Sequence, residues 1–163
     1  PYIQNPNRNV VRMLLKTLAY EHQDDLLPAK WEIEHIFPQK WQTNYFPDEP
    51  DATIKEKIEH IGNKLPFEKK LNIVAGNGYF GKKKKEYIAS KIVITKAMGT
   101  SDVMDWNLES ITKRDIRVSD EVVKIMNRWN NEYLNTPVSE GKAGEPSEEE
   151  LAQIEKFKKN GWI

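Results

Sequence analysis

Residues 32–39 read Glu-Ile-Glu-His-Ile-Phe-Pro-Gln, an apolar stretch that carries two carboxylates and a histidine and then meets a proline. Proline has no N–H to offer a strand ladder, so a strand running from Trp31 to Ile36 must stop there. Side chains alternate across a strand, which puts Glu32 and Glu34 on one face and Ile33 and His35 on the other. His35 then stands at the rim of a sheet, where its imidazole can face a cleft.

The segments around this strand carry mostly helical signals. Val10, Val11, Leu14, Leu15 and Leu18 recur at helical spacing, which predicts a helix over 7–22 capped by Asn7. Residues 40–52 are aromatic, acidic and proline-bearing, the mark of a surface loop with Trp41, Tyr45 and Phe46 pinned inward. Thr53 can cap a short helix through Ile61 with Gly62 as its C-cap, and 64–67 form an extended piece that Pro66 assigns to an edge. A helical turn or two over 68–75 carries Asn72. Gly76, Gly78 and Gly81 make a joint of high backbone freedom. Beyond it the pattern predicts helices over 82–97, 107–114 and 119–134. The expected organisation is a domain over 1–137 with a strand–strand–helix core over about 31–75, a linker over 138–146, and an amphipathic helix over 147–163. The fold class is α+β, mostly helical.

Composition limits the chemistry. A chain of 163 residues supports one domain with a real core. Its mean hydropathy of −0.74 is that of a water-exposed protein, and no apolar run approaches the roughly 20 residues that span a bilayer. No membrane role is expected, and a cytoplasmic setting is. The absence of cysteine excludes disulfides and thiolate zinc sites, leaving oxygen and imidazole as the available metal ligands. The chain starts at Pro1, which suggests a piece of a longer polypeptide. Net charge is zero, yet lysines 64, 69, 70, 82, 83, 84, 85, 91 and 96 face only Glu68 and Glu86 between them, so a neutral total conceals a basic middle.

Four segments in order, 32–39, Ile61-Gly62-Asn63, Leu71-Asn72 and the lysine-bearing 77–87, together resemble the HNH or His-Me finger nucleases. More closely, Ile-Glu-His-Ile-Phe-Pro-Gln, Ile-Gly-Asn-Lys-Leu, Lys-Lys-Leu-Asn and Gly-Tyr-Phe-Gly-Lys-Lys, with the later Trp106, Ile111 and Arg114, resemble the DUF1524 domain. That family commonly forms the C-terminal nuclease half of Gmr-type restriction proteins, whose N-terminal half is a DUF262 nucleotide-hydrolysing domain. The resemblance implies a ββα-metal core flanked by helices, a DNA substrate, Mg²⁺ or Mn²⁺, and a DUF262-like partner domain in the same polypeptide. It spans about 7–117. Carried over by position, it implies His35 as general base, Glu34 and Asn72 as metal ligands, and Asn63 as organiser of the loop or of the base.

These residue types suit that chemistry. A neutral imidazole with an ordinary pKa near 6.5 can take a proton from the water that attacks a phosphodiester. A carboxylate with an amide oxygen is a hard ligand pair that suits Mg²⁺ or Mn²⁺. Other readings stay open at several positions. Glu32 either binds the metal or orients a residue that does. Asn63 follows Gly62 at a turn, where asparagine also serves the local backbone. His60 either contacts phosphate or metal, or ends a helix whose dipole favours it. Lys82, Lys83 and Lys84 are candidates for DNA contact within a run that is otherwise a solvated face. Arg114 reaches a phosphate or pairs with an acid such as Asp115. The rival readings for the chain are a catalytically silent nucleic-acid-binding or regulatory domain and, on the C-terminal helix alone, a protein-interaction module.

Overall fold

A two-stranded sheet has two faces and too little surface of its own to bury either, so this fold is built by helices closing on β1 (Trp31–His35) and β2 (Lys64–Glu68). The computed structural model describes residues 8–42, 50–135, 151, 152 and 155. The strands are antiparallel with Trp31 opposite Glu68 and His35 opposite Lys64. The helices are α1 (Arg8–Glu21), α2 (Asp51–Ile58), α3 (Lys69–Ala75), α4 (Phe80–Ile88), α5 (Val93–Thr100) and α6 (Leu108–Asn135). The result is mostly helical α+β, with β1, β2 and α3 in strand–strand–helix order.

One core cluster gathers Ile36, Phe37, Ile54, Ile58, Leu65, Phe67, Phe80, Tyr87, Trp106 and Ile111, and Phe67 and Tyr87 meet edge to face with centroids 5.1 Å apart. A second cluster joins Val11, Leu15, Leu18 and Ala19 of α1 to Trp31, Ile61, Ile92, Val118 and Ile125. Compact units cover 1–126 and 127–163. The linker expected over 138–146 lies outside the described residues. Of the helix expected over 147–163, residues 151, 152 and 155 are described, and they are helical. Tyr45, Phe46 and the capping Asn7 also lie outside, while Trp41 packs half-buried against the first cluster.

Several boundaries differ from expectation for identifiable reasons. α2 starts at Asp51 behind Pro50, with an acid in its first turn and Lys55 and Lys57 in its last, an arrangement that suits the helix dipole. The helix expected over 82–97 is two helices. Glu68 splits it by accepting from Lys91 N at 2.6 Å and from Ser90 Oγ at 2.8 Å, while that same hydroxyl accepts from Ile92 N. The two helices expected beyond residue 107 are one, since residues 115–118 contain no breaker and turn Arg114 and Val118 inward. Gly76 closes α3 with a φ of 55°, the only positive φ among the described residues.

Gly62 is not a helix C-cap. It sits buried in a single 3-10 turn, Ile61–Asn63, under the backbone of α6. A Cβ there would press on Ile111 O and lie 2.8 Å from Asp115 N, contacts that a helix backbone cannot yield to, and would lie 2.6 Å from the Asp115 side-chain Oδ1. Gly62→Ala is expected to lower unfolding free energy by about 2 kcal/mol, read as a shifted urea midpoint. An unchanged midpoint would mean that α6 does not press on this turn.

Candidate active site

β1 ends where Phe37-Pro38 turns the chain away, and His35 is its last residue. Antiparallel register brings Lys64, the first residue of β2, opposite it. Five residues earlier, Glu59 closes α2 as its C-cap. His35 Nε2 lies 3.3 Å from Glu59 Oε1. Lys64 Nζ donates to Glu59 Oε2 at 2.9 Å and to the Glu59 carbonyl at 2.5 Å, and Gln39 Nε2 reaches Oε1 at 3.3 Å. These four side chains line an open pocket of about 300 Å³ with Arg8, Val11 and Ile33.

The hydrogen bond from His35, helped by the Lys64 ammonium and opposed by partial burial, lowers the Glu59 carboxyl to a pKa of about 2. Glu59 is therefore an acceptor at neutral pH, and His35 must present N–H at Nε2 to it. The neutral imidazole then keeps its lone pair on Nδ1. Sequence reasoning missed Glu59 and Lys64. The signal for Lys64 was available, since pairing the strand that ends at His35 with the one that begins at Lys64 sets them opposite each other.

Asn63 is fully buried and holds the chain just after His35. Its Oδ1 accepts from Phe37 N at 2.7 Å and Trp106 Nε1 at 3.2 Å, and its Nδ2 donates to the carbonyls of Phe37 and Ile58, both at 3.0 Å. α6 grips the same turn. Arg114 Nη1 donates to the carbonyls of Ile61, Gly62 and Lys64, and Asp115 accepts from Gly62 N at 2.6 Å and lies 2.5 Å from His60 Nδ1. Burial lowers the Arg114 pKa to about 10, which leaves the guanidinium charged at neutral pH. Arg114 is thus an internal clamp and not a phosphate contact on the surface.

The acids of the octapeptide are already matched to cations. Glu32 and Glu34 stand opposite Phe67 and Leu65, on one face as alternation requires, yet their carboxylates go to different helices. Glu34 is buried, and its Oε1 meets Lys83 Nζ at 2.7 Å and Tyr87 Oη at 2.8 Å. Lys83 is buried too and also donates to the His35 carbonyl at 2.5 Å. Burial lowers the Lys83 pKa while Glu34 pulls it back up, and burial beside Glu34 raises the Tyr87 phenol well above its usual range. Glu32 meets Arg8 at 2.7 Å and, at 3.9 Å, Arg12.

Of the expected DNA contacts, Lys83 therefore drops out, and Lys84 is spent on the carbonyls of Ser101 and Val103. Lys82 is exposed. Asn72 is half-buried on α3 and its side chain makes no hydrogen bond among the described residues. Glu34 and Glu32, expected to hold Mg²⁺ or Mn²⁺, each face a basic side chain through one oxygen, Oε1 of Glu34 toward Lys83 and Oε2 of Glu32 toward Arg8, and so turn to different helices. Among the described residues no three His, Asp or Glu side chains gather as a metal site.

Residues 2–118 match the family model described as GmrSD restriction endonucleases, C-terminal domain. No curated protein and no solved structure matches the chain. Among the described residues no helix is long and apolar enough to cross a membrane.

Two measurements test this geometry. Asn63→Ala strands the Phe37 N–H and two carbonyls in the core and is expected to cost about 3 kcal/mol in a denaturant titration. Glu59 has a folded pKa near 2 against an ordinary 4.5, so its contribution is present above about 4.5 and is lost as pH falls toward 2. Glu59→Gln should accordingly be less stable than the parent at neutral pH, with the gap closing across that window. A gap that stays constant down to the acid limit would break the link to His35 and Lys64.

Proposed function

The chain belongs to the C-terminal domain family of GmrSD restriction endonucleases, and on that premise we propose that it is an HNH-type endonuclease module that hydrolyses DNA phosphodiester bonds at His35. The observation that carries this reading is the pairing of His35 Nε2 with an ionised Glu59 in an open pocket at the end of β1. Glu59 holds the imidazole in the tautomer whose Nδ1 is basic, and Lys64 holds Glu59. A water presented to Nδ1 loses its proton to His35 as it attacks phosphorus, the ester P–O bond opposite it breaks and the departing oxygen takes a proton from solvent, and general-base help of this kind is worth about 10²–10⁴ in rate. Arg8 lines the same pocket and can bind the phosphate oxygens through its guanidinium. Lys83 fixes the strand end by holding the His35 carbonyl.

In the proposed context this module sits behind an N-terminal DUF262-like nucleotide-hydrolysing domain of the same polypeptide and serves restriction or phage defence. A second reading, a catalytically silent nucleic-acid-binding or regulatory domain, draws on the neutralisation of Glu32 and Glu34 by basic side chains. Plasmid relaxation in Mg²⁺ and in Mn²⁺ separates the two. The parent chain is expected to nick, and His35→Ala to nick at least about 100-fold more slowly with DNA affinity nearly unchanged. A His35→Ala chain that nicks as fast as the parent defeats the assignment, and a parent that never nicks supports the silent domain.

A further inference from the structure

Two of the four α4 lysines, Lys83 and Lys84, are held inside the fold, and a further cluster of accessible cations exists elsewhere. A pocket of about 560 Å³ between α1, the start of β1 and the start of α3 is lined by Arg8, Arg12, Lys30 and Lys69 with a single acid, Glu32. Its parts are fixed to one another. The Lys69 N–H donates to the Lys30 carbonyl at 3.0 Å, which ties the two lysine-bearing turns together. Arg12 Nη1 donates to the Trp31 carbonyl at 3.1 Å, and its guanidinium lies 3.9 Å from the centre of the Trp31 ring. The pair is rigid, since a stacked and hydrogen-bonded guanidinium has little freedom left.

Glu32 offsets one of the four charges by pairing with Arg8. Lys30 and Lys69 are exposed and form no ion pair among the described residues. Arg8, with 68% of its side chain exposed, lines both this pocket and the one that holds His35. The two pockets thus share a wall, and the basic one extends the reactive one along the surface.

We propose that this second pocket binds the phosphodiester backbone of the DNA strand next to the bond attacked at His35, with Lys30 and Lys69 as its outermost phosphate contacts. The inference rests on the nuclease reading and deepens it. A polyanion suits the site better than a lone phosphate, because the cations stand along a path between two connected pockets and not around one point. Lysine and arginine contacts of this kind release counterions from DNA, so binding must weaken with salt by about 0.9 logarithmic unit per phosphate contact.

The test uses the full chain carrying His35→Ala, to prevent cutting, and a short labelled DNA duplex followed by fluorescence anisotropy across a salt series. Adding Lys30→Ala and Lys69→Ala is expected to reduce the slope of log affinity against log salt by about one to two. The charge-retaining pair Lys30→Arg and Lys69→Arg is expected to keep the original slope, which separates lost charge from a damaged fold. An unchanged slope in the alanine pair overturns the proposal, and so does absence of duplex binding by the starting chain. Inorganic phosphate at matched ionic strength is the second probe. Displacement of the duplex well beyond that by chloride assigns the pocket to a free phosphate compound and overturns strand binding. Failure of the nuclease reading has a different signature, either a parent chain that never nicks plasmid or continued cutting of the duplex by the His35→Ala chain.

Discussion

The arrangement around His35 depends on one buried amide. Asn63 spends both donors and two acceptor positions on partners that come from three places in the chain: the turn after β1, the end of α2, and Trp106. A buried amide is costly unless every position is matched, and once matched it tolerates few alternatives. Carboxylate at this position could not donate, and an apolar side chain could neither donate nor accept. The amide therefore selects one path for residues 36–38 and one position for the end of α2, and those two choices put His35 and Glu59 side by side.

Charge is handled by the same economy of position. The octapeptide places two acids close in sequence, and the fold gives each its own cations from a different helix, α4 for Glu34 and α1 for Glu32. Removing one partner from the Glu34–Lys83 pair would leave an uncompensated charge in the core, a heavier penalty than any surface pair carries. Lys83 serves a second purpose through the same ammonium, because it also holds the His35 carbonyl. The tail of the histidine's own strand is thereby fixed on one side by α4 and on the other by the 3-10 turn under α6.

Much of this was legible in residue order. The first strand, expected to run one residue further to Ile36, the edge strand with Pro66, the helix stripe of α1 and the glycine joint before α4 follow from periodicity, proline and glycine chemistry. The family too was readable from the spaced motifs, and the match over residues 2–118 agrees with it. What was not legible is partnership across distance. Lys83 and Lys84 look alike in a run of four lysines, and helical geometry alone turns one into the core beside Glu34 and leaves the other on two carbonyls. Arg114 looks like a surface cation until α6 continues unbroken and carries it over the turn at 61–64. Glu59 had no motif of its own, because its role comes from the cross-strand position of Lys64 and from where α2 stops.

The grip of α6 on the turn at 60–64 also sets an order of assembly during synthesis. Both strands and α2 leave the ribosome well before Arg114 and Asp115, so the nascent chain carries His35, Glu59 and Lys64 without the side chains that fix the turn between the last two. The pocket around His35 can take its final form only after α6 has emerged. A chain interrupted anywhere before residue 114 would hold His35, Glu59 and Lys64 but not the side chains that fix the turn between the last two.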